Sequence, residues 1–97
     1  MRNRKDEVLV AMQQALLGEV SARLRAVAVF YDDESIEFTC YFDGNISEED
    51  QESMSCVETE LMAVFPGNHS INYSLHRIDY PGLIPKDGIW VFLRREN

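Results

Sequence analysis

Apolar and polar residues along this chain change period several times, and each change marks an element. From Arg4 to Leu17, Val8, Met12, Ala15 and Leu16 recur at helical spacing with Leu9 beside them. Asp6 and Glu7 suit the positive end of that helix's dipole, and Gly18 is placed to stop it. Leu24 to Tyr31 is apolar on both faces and rich in β-formers, the mark of an inner strand. Asp32-Asp33-Glu34-Ser35 makes a turn, and residues 36–43 then alternate strictly. Ile36, Phe38, Cys40 and Phe42 face one way, Glu37, Thr39, Tyr41 and Asp43 the other. The two runs predict an antiparallel hairpin whose second strand has one wet face.

Gly44-Asn45 ends the hairpin. Ser47 is placed to cap a second helix, with Asp50 three residues on in a capping-box role and Glu48, Glu49 and Asp50 favouring the dipole. Met54, Val57, Leu61, Val64 and Phe65 form its apolar stripe, and Pro66-Gly67 ends it. From Ile71 to Asp79, Ile71, Tyr73 and Leu75 alternate with Asn72, Ser74 and His76. Tyr80-Pro81-Gly82 and Pro85-Lys86-Asp87-Gly88 bracket a loop. Ile89 to Arg95 reads as a last strand, with Ile89, Val91 and Leu93 on one side and Trp90 and Phe92 on the other.

The order is therefore α-β-β-α-β-β. It predicts an α+β two-layer sandwich, two helices on one face of a four-stranded, mainly antiparallel sheet. The second sheet face is expected to be partly open, with Tyr41 and one side of the last strand near solvent. There is no repeat, linker or low-complexity tract, and 97 residues suit one domain spanning 1–97.

Composition adds little to that frame. A hydrophobic content of 45% belongs to a folded chain, and no apolar run approaches the roughly 20 residues that cross a bilayer. The basic start Met1-Arg2-Asn3-Arg4-Lys5 runs straight into Asp6-Glu7 rather than an apolar stretch, unlike a signal peptide, so a cytoplasmic location is expected. Cys40 and Cys56 are too few for a disulfide framework, and both lie in apolar stretches, so both are expected as buried, reduced thiols.

A search for chemistry finds no site. Cys40, Cys56, His69 and His76 lack the short spacings of a zinc site, and no motif surrounds either thiol. His69 reads as a solvated loop residue and His76 as a strand surface residue. The carboxylates sit on turns and at a helix start, where solvation and the dipole keep them ionised. Neither a dinucleotide fingerprint nor a P-loop occurs. The expectation is a protein with no catalytic residue, no metal and no cofactor.

Charge is more informative. The net charge is −8, and its distribution is uneven: residues 26–76 contain no Lys or Arg but hold eleven of the seventeen acids. Capping and solvation account for the run at Glu48–Glu52. They do not account for so long a stretch of one sign, where a surface serving solubility alone mixes both. Such a field repels phosphate backbones and anionic membranes, and it speeds encounter with a basic protein. The expected partner surface is therefore Asp32, Asp33, Glu34, Asp43, Glu48, Glu49, Asp50 and Glu52, with Tyr31 and Tyr41 as aromatic anchors among the acids. Phe30, Phe38, Phe42 and Phe65 are assigned to the core.

Several stretches together resemble a known family. They are Ala15-Leu16-Leu17-Gly18-Glu19-Val20, Leu24-Arg25-Ala26-Val27, Tyr41-Phe42-Asp43-Gly44 and Ser47-Glu48-Glu49-Asp50. Val57-Glu58-Thr59-Glu60, Asp79-Tyr80-Pro81 and Trp90-Val91-Phe92-Leu93-Arg94-Arg95 extend the match over nearly the whole chain. The chain is similar to small acidic immunity proteins of bacterial polymorphic toxins, including those of contact-dependent growth inhibition systems. The resemblance implies a cytoplasmic inhibitor that binds and blocks the toxic domain of a cognate effector, commonly a nuclease. None of these stretches is a catalytic signature, and the resemblance brings no binding map with it. The rival expectation is a self-associating module, in which Trp90 and Phe92 of the last strand are buried in a homodimer.

Overall fold

The computed structural model describes residues 3–96; Met1 and Arg2 of the basic start, and Asn97, lie outside the described residues. The elements follow in the expected order: α1 (Arg4–Ala15), β1 (Leu24–Tyr31), β2 (Ser35–Phe42), α2 (Glu48–Val64), β3 (Ser70–Arg77) and β4 (Ile89–Leu93). Asn3 caps α1 by accepting the Asp6 amide at 2.8 Å. Both arms of the predicted capping box at α2 are present, the Ser47 hydroxyl accepting from the Asp50 amide and the Asp50 carboxylate from the Ser47 amide. Gly18 adopts φ +80° just beyond the Leu16 cap, a conformation that glycine takes without strain.

The strands form one mixed sheet in the order β3-β2-β1-β4. β1 pairs antiparallel with both β2 and β4, whereas β2 and β3 are parallel. The parallel pair follows from the length of α2. Seventeen helical residues span about 25 Å, which matches the eight residues of β2 and returns the chain to the end where β2 began. β1 is the inner strand its sequence predicts.

The helices cover one face of the sheet, and between the layers lies a single apolar cluster. Val8 and Met12 of α1 and Met54, Val57 and Leu61 of α2 meet Val27, Val29, Ile36, Phe38, Cys40 and Phe42. The alternation predicted for β2 and β3 holds on this face, with Ile71, Tyr73 and Leu75 packed at its edge.

β4 departs from its predicted alternation. Val27 lies opposite Phe92, but Ala28 lies opposite Trp90, so Val91 is an extra residue in a bulge. Val91 and Phe92 both pack against the core as a result, and Phe92 is not beside Trp90. Phe30, assigned to the core by its position in an apolar run, lies elsewhere. It pairs with Glu37 on the far face, is 38% exposed, and is not in the core.

That far face is open only in part. β3 and β4 lie at opposite edges and run the same way, so residues 78–88 must cross both the width and the length of the sheet. They cross over the far face. Ala26 and Ala28 of β1, too small to obstruct the passage, are almost completely buried beneath it. Gly88 is packed so closely that a Cβ there would lie 2.9 Å from the Phe30 ring and 2.9 Å from the Val29 carbonyl. Tyr41, expected near solvent, is only 7% exposed. It stacks on His76 at 5.7 Å and meets Trp90 edge-on at 6.4 Å.

Candidate functional site

The acidic band of the sequence folds into two separate groups, because its halves flank β2. Asp32, Asp33 and Glu34 form the β1–β2 turn, while Asp43 and the first turns of α2 lie at the other end of the strand. Eight strand residues hold these ends about 25 Å apart, well beyond the Debye length of about 8 Å at physiological salt. The field of each group is therefore screened from the other.

At the turn, the Asp32 carboxylate accepts the Glu34 amide at 2.9 Å. That hydrogen bond, helped by Ser35 and Arg4, holds its carboxyl below the usual carboxylate range. The Arg4 guanidinium donates to the Asp32 carbonyl at 2.9 and 3.2 Å, tying α1 to the turn. Asp33 and Glu34 are exposed, and Tyr31 is half-buried against the core.

At the other end two of the predicted residues are occupied internally. Asp50 is only 3% exposed and pairs with Arg23 at 3.0 Å. Its burial raises the carboxyl pKa, but the nearby Ser21 and Ser47 hydroxyls, the Ser47 amide and the Arg23 guanidinium outweigh this and hold it ionised. Asp43 accepts from Arg94 at 3.0 Å and from the Tyr80 amide at 3.2 Å. Asp50 is thus a structural carboxylate and not a surface one, and Asp43 is a strut between β2 and the end of the chain. Glu48, Glu49 and Glu52 remain exposed.

The fold adds a residue that charge counting along the chain passed over. Glu19, in the α1–β1 connection, lines one shallow groove of about 300 Å³ with Glu49, Glu52, Ser53 and Cys56. Glu19 lies outside the cation-free stretch, so only the packing of that connection against α2 reveals it. Among the described residues, none of Glu19, Glu48, Glu49 and Glu52 forms an ion pair. Arg23, which pairs with Asp50, lines the adjoining cleft with Glu19 and Glu49.

The cysteines and histidines do not converge. Cys40 is buried with its sulfur 3.3 Å from that of Met54, and burial pushes its thiol up to about 12. Such a thiol stays protonated and does not act as a nucleophile. Cys56, expected to be buried, is exposed on α2. His76 is exposed on β3 as expected. His69 is only half-exposed, its ring 5.4 Å from that of Phe65. Among the described residues no group of three or more His, Cys, Asp or Glu is arranged to hold a metal ion, and no helix is long and apolar enough to cross a membrane.

These features define a small α+β protein whose conspicuous surface is charged and shallow. The family model of the MafI2 immunity proteins matches residues 5–96, and the chain belongs to that family. It is an immunity protein of a toxin system, and its partner is a toxin protein. No curated protein matches the chain.

Proposed function

We propose that this immunity protein neutralises its cognate toxin in the cytoplasm by tight stoichiometric binding, and that the toxin is a basic, nuclease-type domain of a polymorphic or contact-dependent system. The observation that carries the reading is the uncompensated group Glu19, Glu48, Glu49 and Glu52 at the start of α2. A nuclease needs basic surface to hold phosphates, and a pole of four carboxylates on a chain of net charge −8 steers such a surface toward it. Asp33 and Glu34 at the β1–β2 turn form a second, weaker acidic pole with Tyr31 beside it.

The test is a tagged pull-down from the native host at low and high salt, followed by kinetics on the recovered complex. One stoichiometric basic protein bearing a toxic domain is the expected result. The variant Glu48→Lys, Glu49→Lys, Glu52→Lys reverses exposed charges without touching the Asp50 cap. It is expected to slow association by at least about tenfold at low salt, with the loss shrinking as salt rises. Unchanged association would remove the electrostatic part of the reading. The rival reading, self-association through the last strand, loses one of its two anchors because Phe92 packs against the core.

A further inference from the structure

The far face of the sheet carries a second surface of different chemistry. Where the 78–88 crossover passes β4 it leaves a groove of about 510 Å³, floored by Trp90 and Leu93 and walled by Tyr80, Leu83 and Ile84. Leu83 is 92% exposed and Leu93 59% exposed, although large apolar side chains on a monomer's surface are normally dispersed.

Leu83 does not stand on a loose tip. The buried Arg25 guanidinium donates to the Ile78 carbonyl at 2.6 Å and the Gly82 carbonyl at 2.9 Å, and its charge lies over the Tyr80 ring at 5.6 Å. Glu96 clamps the same guanidinium through both oxygens, at 2.7 and 2.9 Å. Gly82 turns so tightly that a Cβ there would sit 2.8 Å from the Asp79 carbonyl. With Gly88 wedged against Phe30 at the far end, the backbone of the crossover is held at both ends. Such preorganisation lowers the entropy cost of binding.

The charge around the groove is opposite to that of the α2 pole. Glu96 is occupied by Arg25 and Arg94, and Asp79 by Arg77. Asp87 follows Lys86 directly, is exposed, and acts on Tyr41 from the other side. Lys86 on the groove wall and Arg95 next to it are exposed and form no ion pair among the described residues. With Asp87 counted against Lys86, the charge left over beside this groove is the single cation Arg95, on an otherwise acidic protein.

We infer that this groove docks an apolar segment of the cognate toxin that carries acidic residues beside its apolar anchor. Leu83 and Trp90 grip the anchor, and Lys86 and Arg95 take the carboxylates. The inference rests on the toxin-binding function proposed above and assigns it a second contact. The Glu48–Glu52 pole governs how fast the partner arrives, and the groove governs how long it stays and in which orientation.

Two measurements on the full chain test this. In an NMR titration, acetyl-Glu-Leu-Leu-Glu-amide is expected to shift the Trp90 indole and Leu83 methyl signals at millimolar concentration, and acetyl-Lys-Leu-Leu-Lys-amide to leave them in place. Silence from both peptides, or equal shifts from both, overturns the assignment. With the toxin domain recovered from the pull-down, Leu83→Asp is expected to raise Kd by about 30-fold or more, mainly through faster dissociation. Leu83 is exposed, so the substitution leaves the fold intact. A Kd within about twofold of wild type overturns the inference while leaving the toxin-binding function standing. Peptide binding by a chain that does not bind the toxin overturns both, because the inference rests on that function. A dimer in sedimentation that Leu83→Asp disperses would make a second copy the occupant and overturn it as well.

Discussion

The two faces of this sheet are covered by different physics. On one, α1 and α2 pack Met12, Met54 and Leu61 against Phe38 and Phe42, and the joint is apolar, redundant and shared by many residues. On the other, a crossover of about eleven residues without regular structure covers Ala26, Ala28 and Tyr41, held by one buried arginine, two close glycine contacts and a carboxylate. A loop has backbone polar groups that a helix satisfies internally, so a loop laid on a sheet needs donors brought to it. Arg25 is that donor. The helix face should therefore fail gradually as volume is removed, and the crossover face sharply as single polar or conformational anchors are lost.

The largest effect is expected on the helix face. Phe38→Ala, at a fully buried position, should cost about 3–5 kcal/mol in urea unfolding, from lost burial plus the cavity left behind. Arg25→Ala should follow at about 3 kcal/mol, because it strips the Ile78 and Gly82 carbonyls of their donor and leaves Glu96 with Arg94 alone. The comparison is sharpened by where the damage falls. Arg25→Ala should raise amide exchange across residues 79–87 with α2 unchanged, whereas Phe38→Ala should loosen both layers. If Arg25→Ala instead loosened the helices, the two faces would not be mechanically distinct.

A smaller effect is expected at Gly88. Its φ of +73° and its contact with the Val29 carbonyl disfavour any side chain, and Gly88→Ala should cost about 1–2 kcal/mol by thermal unfolding. The smallest is a pH effect on the clamp. Hydrogen bonding to Arg25, then to Arg94, holds the Glu96 carboxyl down to about 2 from an ordinary 4.5. Its folded value is depressed, so its contribution is complete above about pH 4.5 and fades as pH falls toward about 2. Glu96→Gln should flatten the stability profile across that window and leave it unchanged near neutrality in slope. An unaltered acid slope would mean that Glu96 is not the carboxylate holding the crossover.

The same division governs what could be read along the chain. Period carried the helix face: the alternation of β2 and β3, the capping box at Ser47 and Asp50 and most of the α2 stripe recur in the fold, with Val64 of that stripe turned out to solvent at 58% exposure. Period misled at β4, because a bulge at Val91 places two successive side chains on one face, and a bulge leaves no mark in an alternating apolar run. It misled again at Tyr41 and Phe30, whose burial depends on where a distant loop lies. Charge counting located the α2 pole but joined it to the β1–β2 turn, since acids close in sequence are held apart by the length of β2. It included Asp50, whose cap and Arg23 partner draw it inward, and passed over Glu19, which reaches the pole only through packing.

Legible along the chain were the number, type and order of the elements, the inner position of β1 and a likeness to immunity proteins of bacterial toxin systems. These rest on local periodicity, capping and motif content, which act between residues a few positions apart or repeat along the whole chain. Tertiary structure alone decided the strand order β3-β2-β1-β4, the path of residues 78–88 over the second face, and the contrast between an acidic pole and a basic-rimmed apolar groove. Each of those depends on contacts between residues far apart in the chain, Arg25 with Gly82 and Glu96, Glu19 with Glu49 and Glu52. Such contacts form only when the whole core closes, so no local pattern can announce them.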